Sequence, residues 1–220
     1  MINIAIDGPS GAGKSTIAKA LAKSFGYIYV DSGAMYRSLG LAVYRAGVCP
    51  DDEKAVSEVC KSIKLELKYV DGAQRIFMDG EDVSDLIRTP EISDYASRVS
   101  ALPWVRAYLL DTQRDIAKNN NIIMDGRDIG TVILPDADIK IYLHASAEER
   151  ARRRWIELQE KGNPDTYEEV LADMRERDYR DANRAIAPLK RADDAIDVDT
   201  TEYDLEESIE LIRNIILKRG

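Results

Sequence analysis

The segment Gly8-Pro9-Ser10-Gly11-Ala12-Gly13-Lys14-Ser15-Thr16 constrains this chain more than any other. It fits the pattern G-x-x-x-x-G-K-[ST] and lies between an apolar run, Ile2 to Ile6, and a helical pattern that starts near Lys14. Glycines let backbone N–H groups curl inward around an anion, and the helix that follows adds the positive end of its dipole. Gly8 to Thr16 therefore predict a phosphate-binding loop, a P-loop, in which Lys14 reaches the β- and γ-phosphates of a nucleotide and the Ser15 hydroxyl binds Mg²⁺. A flexible Gly/Ser loop that happens to contain a lysine is the competing reading, and the flanking strand and helix weigh against it.

Short β-rich runs recur at Tyr27 to Val30, Ile122 to Met124, Ile139 to Leu143 and Ala195 to Val198. Longer stretches of helical period separate them, which predicts a parallel sheet wrapped by helices. The pattern changes where Leu65 to Val70 and Arg75 to Met78 flank an Asp71-Gly72 turn and stop at a second one, Asp79-Gly80. Closely spaced strands joined in this way form antiparallel hairpins, so residues 61–103 read as an insertion on one α/β domain spanning 1–220. Ala147 to about Arg184 is helical and rich in charge, with a break at Gly162-Asn163-Pro164. A last amphipathic helix, from about Tyr203 to Leu217, places Leu205, Ile209, Ile212 and Ile216 on one face.

Forty acidic against 31 basic residues leave a net charge of −9. Such a chain is repelled as a whole by nucleic acid and by anionic lipid, so small-molecule partners are expected, with no nucleic-acid and no membrane role. Cys49 and Cys60 are too few for a disulfide framework and lack the paired spacing of a zinc site, which suits a reducing compartment. With His144 as the only histidine, Ser-His-Asp and Cys-His machinery is excluded, and His144 itself reads as a strand end without a chemical role. The first residues carry no basic segment and meet Asp7 early, unlike a signal peptide. A cytoplasmic monomer is the expectation.

A P-loop alone leaves kinases, GTPases and motor ATPases open. No glycine here has an aspartate three residues before it, and no N-K-x-D occurs, so a GTPase is disfavoured. Asp125 follows Ile122-Ile123-Met124 at the carboxyl end of a predicted core strand, where it is either a turn residue or a second holder of the metal. Arg127 and Asp128 beside it favour function. Ser32 can cap a helix that presents Arg37 to a second phosphate, although an ordinary strand-to-helix turn with a solvated arginine has the same pattern. Arg177, Asp181 and Arg184 share one helical face with Arg180 beside them, as a phosphate-neutralising cluster or as a salt-bridged solvent face. Arg150, Arg152, Arg153 and Arg154 form a second cluster, of which some but not all are expected to meet phosphate. Arg37 and Arg184 are expected on polar, solvent-accessible faces.

Taken in order, five segments together resemble the bacterial cytidylate kinases, members of the nucleoside monophosphate kinases. They are Ile6 to Ser15, Asp31-Ser32-Gly33-Ala34-Met35-Tyr36-Arg37, Gly80-Glu81-Asp82-Val83-Ser84, Asp125-Gly126-Arg127-Asp128-Ile129-Gly130-Thr131 and Arg177-Asp178-Tyr179-Arg180-Asp181-Ala182-Asn183-Arg184. The resemblance implies a five-stranded parallel core flanked by helices, a lid within 150–184, and a nucleotide-binding insert with a small antiparallel sheet, which 61–103 fits. It also implies transfer of a phosphoryl group from ATP, with Mg²⁺, to CMP or dCMP. Ser32 and Arg37 would then hold the CMP phosphate with Arg127, while Ser97, Arg106 and Asp128 surround the cytosine. Arg177, Asp181 and Arg184 would lie on the lid side near sugar and phosphates, with Lys14, Arg127, Arg177 and Arg184 at the transfer step. The nearest rival is a P-loop kinase for another nucleotide or a hydroxylated metabolite. A nucleotide-binding switch without transfer activity is the third reading.

Overall fold

The computed structural model describes residues 1–70 and 73–219. Among them the chain forms two compact units, one of residues 1–28 and 120–220, the other of residues 29–119.

The first unit is built on β1 (Asn3–Asp7), which pairs in parallel with Ile122–Gly126 on one side and with Ile139–His144 on the other. The strand at Ile139–His144 pairs in turn, also in parallel, with Ile196–Asp199. With Ile28–Asp31, the second strand in the chain, these complete a five-stranded sheet. Numbered along the chain, the sheet has the order β2-β6-β1-β7-β8, the insert supplying β3 to β5. Placing β1 at the centre explains why its run is apolar throughout, since Ile4, Ala5 and Ile6 are fully buried. Helix α1 (Lys14–Phe25) runs back along β1 and β6 and buries Ile17, Ala18 and Leu21. It stops at Gly26, whose φ of 69° is the left-handed cap that glycine adopts without a Cβ penalty. The last helix, Leu205–Arg219, packs against α1 and buries Ile212 and Ile216.

The charge-rich stretch of this unit is two helices, Ala147–Glu160 and Tyr167–Asn183, broken at Gly162-Asn163-Pro164 as the sequence predicts. Ala151, Leu158, Val170 and Met174 form a small apolar seam between them, with Trp155 and Tyr167 packed against it. Thr166 and Glu169 make a reciprocal capping box at the start of the second helix.

The second unit opens with α2 (Ser32–Arg45). The chain continues through α3 (Glu53–Lys61), the antiparallel pair β3 (Leu65–Val70) and β4 (Ala73–Met78), short β5 (Glu81–Asp82), α4 (Pro90–Val99) and α5 (Pro103–Asn119). The Asp71-Gly72 turn lies outside the described residues. The Asp79-Gly80 turn joins β4 to β5 with φ of 50° and 87°, the doubly left-handed geometry that tight hairpins demand. Leu39, Val43, Val56, Cys60, Val83 and Val99 are fully buried in one apolar cluster that ties α2, α3 and α4 to the hairpin. Among the described residues no helix is long and apolar enough to cross a membrane.

Candidate active site

At the end of β1 the chain turns at Gly8, φ +151°, so tightly over β7 that a Cβ there would sit 1.9 Å from the Leu143 carbonyl oxygen. Only glycine passes this point. The loop then delivers Lys14 as the first residue of α1, a helix with no acidic residue in its first turn and no side-chain cap. Its N–H groups and dipole are thus kept for an anion. Lys14 is buried and donates Nζ to the Pro9 carbonyl at 2.6 Å. Burial, reinforced by Arg127 and Arg177, holds its pKa well below the ordinary lysine value, and Asp125 and Asp7 oppose the shift. An arriving phosphate would favour the charged form of this ammonium.

Ser15 and Asp125 come together although 110 residues separate them: the Ser15 hydroxyl donates to Asp125 Oδ2 at 2.8 Å. Pairing β1 with β6 in the register Ile6 to Asp125 is what aligns them. A hydroxyl and a carboxylate oxygen side by side are the hard oxygen donors that suit Mg²⁺.

Arg127 follows β6 and donates Nε to Asp181 Oδ2 at 2.9 Å. Burial pulls its pKa down, but Asp181, Asp125 and Asp178 outweigh burial and leave it raised. Asp181 is the mirror case: burial raises its pKa, yet Arg127, Arg177 and Arg184 draw it below the usual carboxylate value. These four residues are therefore one electrostatic group. Arg184 joins it differently from the helical spacing expected. The helix carrying Arg177 and Asp181 ends at Asn183, and Arg184 is extended, with ψ 142°. From there it donates Nη2 to Asp128 Oδ1 at 3.0 Å and Nε to the Ala187 carbonyl at 2.5 Å. Its side chain is only 6% exposed, against the solvent-accessible face expected, because burial with Asp128 satisfies both charges.

The second arginine cluster divides. Arg150 is buried and donates to the carbonyls of Ala145 (2.9 Å) and Ser10 (3.0 Å), and it pairs with Asp178 at 2.7 Å. It thus ties both charge-rich helices to the P-loop backbone. Arg152 and Arg153 both pair with Glu149, and Arg154 with Glu157, as neighbours on one helix do. The sequence reading did not single out Asp178 or the inward turn of Arg150. One arginine in a run carries no local mark of which will be buried. His144 ends β7, its Nε2 3.3 Å from Asp197 Oδ2.

In the second unit Asp31, not Ser32, caps α2: its Oδ1 accepts the Ala34 N–H at 2.8 Å while Oδ2 accepts Arg37 Nη2 at 2.8 Å. Ser32 is the first helical residue and is buried. Arg106 is buried on α5, donating to the Ser100 carbonyl at 3.1 Å with its guanidinium 5.5 Å from the Tyr36 ring centre. Ser97 is half-buried on α4, and its carbonyl accepts the Ser100 hydroxyl at 2.8 Å. Ser32, Arg37, Ser97 and Arg106 all belong to this unit, and Lys14, Ser15, Asp125, Arg127, Asp128, Arg177, Asp181 and Arg184 to the first.

The cytidylate kinase family profile matches residues 4–218. The chain belongs to this family. Cytidylate kinase of Caldicellulosiruptor bescii is 49% identical over 99% of this chain and 96% of its own. That of Caldanaerobacter subterraneus subsp. tengcongensis is 50% identical over 99% and 95%, and that of Geobacter sulfurreducens 47% over 98% and 93%. Among solved structures, an uncharacterized protein from Eubacterium ventriosum shares the fold, with a TM-score of 0.51 at 12% identity, covering 99% of this chain and 97% of that one. As a cytidylate kinase family member the chain is a nucleoside monophosphate kinase that phosphorylates CMP with ATP as donor. The alternatives of a kinase for another acceptor and of a switch without transfer activity are not favoured.

Proposed function

We propose that the two units divide the reaction as follows. The P-loop, Gly8 to Thr16, and the amino end of α1 hold the ATP phosphates, and Lys14 bridges the β- and γ-phosphates across the breaking bond. Ser15 and Asp125 hold Mg²⁺, which when bound neutralises charge on the phosphate oxygens. Arg127, Arg177 and Arg184 neutralise charge developing on the transferred group, with Asp181 holding Arg127 in orientation. In the second unit Ser32 and Arg37 take the phosphate of CMP or dCMP, and Ser97 and Arg106 the base.

The grouping of the P-loop with the end of β6 carries this reading: the Ser15 hydroxyl is bonded to Asp125, and Arg127 and Arg177 both act on the charge of Lys14. A phosphate monoester oxygen is already ionised near neutral pH, so the acceptor needs no general base, and a chain with His144 as its only histidine performs the step by positioning and charge neutralisation. Closure of a lid drawn from residues 150–184 would keep water from the phosphoryl group. We assign the enzyme to the cytoplasm as a monomer. The two unpaired cysteines, Cys49 and Cys60, support the compartment.

Cytosine offers a 4-amino donor where uracil offers a carbonyl, and a carboxylate only accepts, so Asp128 favours cytosine. Opposed polar groups cost about 1–3 kcal/mol each, enough for discrimination on the order of a hundredfold when two contacts change. The test is Mg-ATP with CMP, dCMP, UMP, AMP, GMP or no acceptor, following ADP and the acceptor product. CMP and dCMP should exceed UMP, with AMP and GMP excluded by size. Equal kcat/KM for CMP and UMP would overturn the base reading, and ADP release independent of acceptor would overturn the transfer reading.

A further inference from the structure

Asp7 is the last residue of β1, and it is 4% exposed. Its two carboxylate oxygens accept two consecutive backbone N–H groups, Ile129 to Oδ1 and Gly130 to Oδ2, both at 2.7 Å. These residues come directly after Arg127-Asp128 and open a π-helical turn, Ile129–Ile133, a geometry rare enough to need a cause. A carboxylate that spans two successive amides fixes the direction of both peptide planes, whereas a single bond would leave the turn free to pivot. The fit is close on the other side as well. A Cβ on Gly130 would lie 3.1 Å from Lys140 Cδ and 3.4 Å from Asp7 Oδ2.

We propose that Asp7 is a positioning residue: it clamps the backbone at 129 and 130 so that Arg127 and Asp128 are presented in one register, without touching either substrate. This inference rests on the roles given above to Arg127 and Asp128. Each oxygen of Asp7 faces a backbone amide of the turn, so its orientation is set by the segment it holds. Burial pushes its pKa up to about 6, and the two amides oppose that rise, which is what keeps a carboxylate usable as a clamp in so dry a place.

Two full-chain variants test the clamp from opposite sides. Asp7→Asn offers oxygen to one amide and sets its own NH2 group against the other; Gly130→Ala pushes the same turn without altering β1. Hydrogen exchange in segment 126–134 should quicken about tenfold or more in each, while β1 exchanges as in the wild type. Kinetically, kcat should fall about tenfold or more with the KM for ATP held within about threefold. Unchanged exchange at 126–134, or a KM for ATP and a thermal midpoint that deteriorate in step with kcat, would overturn the proposal. If Asp7→Asn does not fold, Gly130→Ala is judged alone by the same criteria. Should Asp128→Ala leave the preference for CMP over UMP unmoved, the base reading fails, and the exchange and kcat results still decide the role of Asp7.

Discussion

Removing Arg184 should cost both stability and catalysis, and the two losses can be separated. Its guanidinium and the Asp128 carboxylate are 6% and 5% exposed and 3.0 Å apart, so Arg184→Met leaves a buried carboxylate without this cation. Breaking a buried pair by removing one partner costs about 3–5 kcal/mol. Asp128 keeps other interactions, so the lower end applies. Loss of the bond from Arg184 Nε to the Ala187 carbonyl adds about 1 kcal/mol. In a protein of this size each kcal/mol moves the thermal midpoint by about 2–4 °C, which gives a fall of roughly 8–16 °C. Arg184→Met/Asp128→Asn removes the stranded charge and should regain at least about half of that fall, because two neutral groups do not pay ionic desolvation. Activity should not return, since the double variant still lacks the cation proposed to neutralise the transferring group. Calorimetry and coupled ADP release read the two quantities on the same samples. A midpoint within about 2 °C of wild type for Arg184→Met, or a double variant no more stable than the single, would refute the buried-pair reasoning.

Lys14→Ala should lower phosphoryl transfer by about a hundredfold or more while the midpoint stays near wild type, since the lost group is a desolvated ammonium bonded to a loop carbonyl, not a core contact; activity within tenfold would count against the P-loop assignment. Ser15→Ala removes the hydroxyl bonded to Asp125 and should raise the Mg²⁺ concentration needed for half-maximal rate by about tenfold; an unchanged Mg²⁺ titration would remove Ser15 from the metal site. Arg37→Gln should raise the KM for CMP about tenfold or more, with stability lowered by about 1–3 kcal/mol because the guanidinium is 20% and the Asp31 carboxylate 8% exposed. A variant that loses stability and keeps its CMP kinetics would show that this pair only closes the start of α2.

What could be read from the sequence was local. The P-loop was legible because Gly8, Gly11 and Gly13 must take positive φ and Lys14 must open a helix, demands met within nine residues. The central strands were legible because β1, β6 and β7 are buried almost throughout, β1 and β6 carrying unbroken apolar runs and β7 one interrupted at Lys140. Asp31 and Ser32 could both cap α2, and the choice turned on the Arg37 guanidinium folding back to Asp31, which no cap rule contains. Arg184 fell on the right face by spacing, yet the helix had ended one residue earlier and an Asp128 distant in sequence placed the side chain. The π-helical turn at 129–133 was invisible for the same reason. Its amides are held by Asp7, 122 and 123 residues away.

The net charge of −9 sets the chain as a whole against anions, yet for a small phosphate ligand that count is the wrong quantity. Arg127 has Asp181, Arg184 has Asp128, and Arg150 has Asp178, each within 3.0 Å. An uncompensated cluster of buried guanidiniums would carry several kcal/mol of desolvation per ion, so the folded protein can hold cations at one point only by interleaving carboxylates. The acidic residues here therefore orient the arginines without cancelling their use. Arginine stays ionised beside or apart from a carboxylate, and its planar fork has donors for more than one acceptor. A phosphate entering such a frame meets fixed N–H groups that need little reorganisation, and pre-set dipoles of this kind lower a transfer barrier more than a larger but mobile positive charge would.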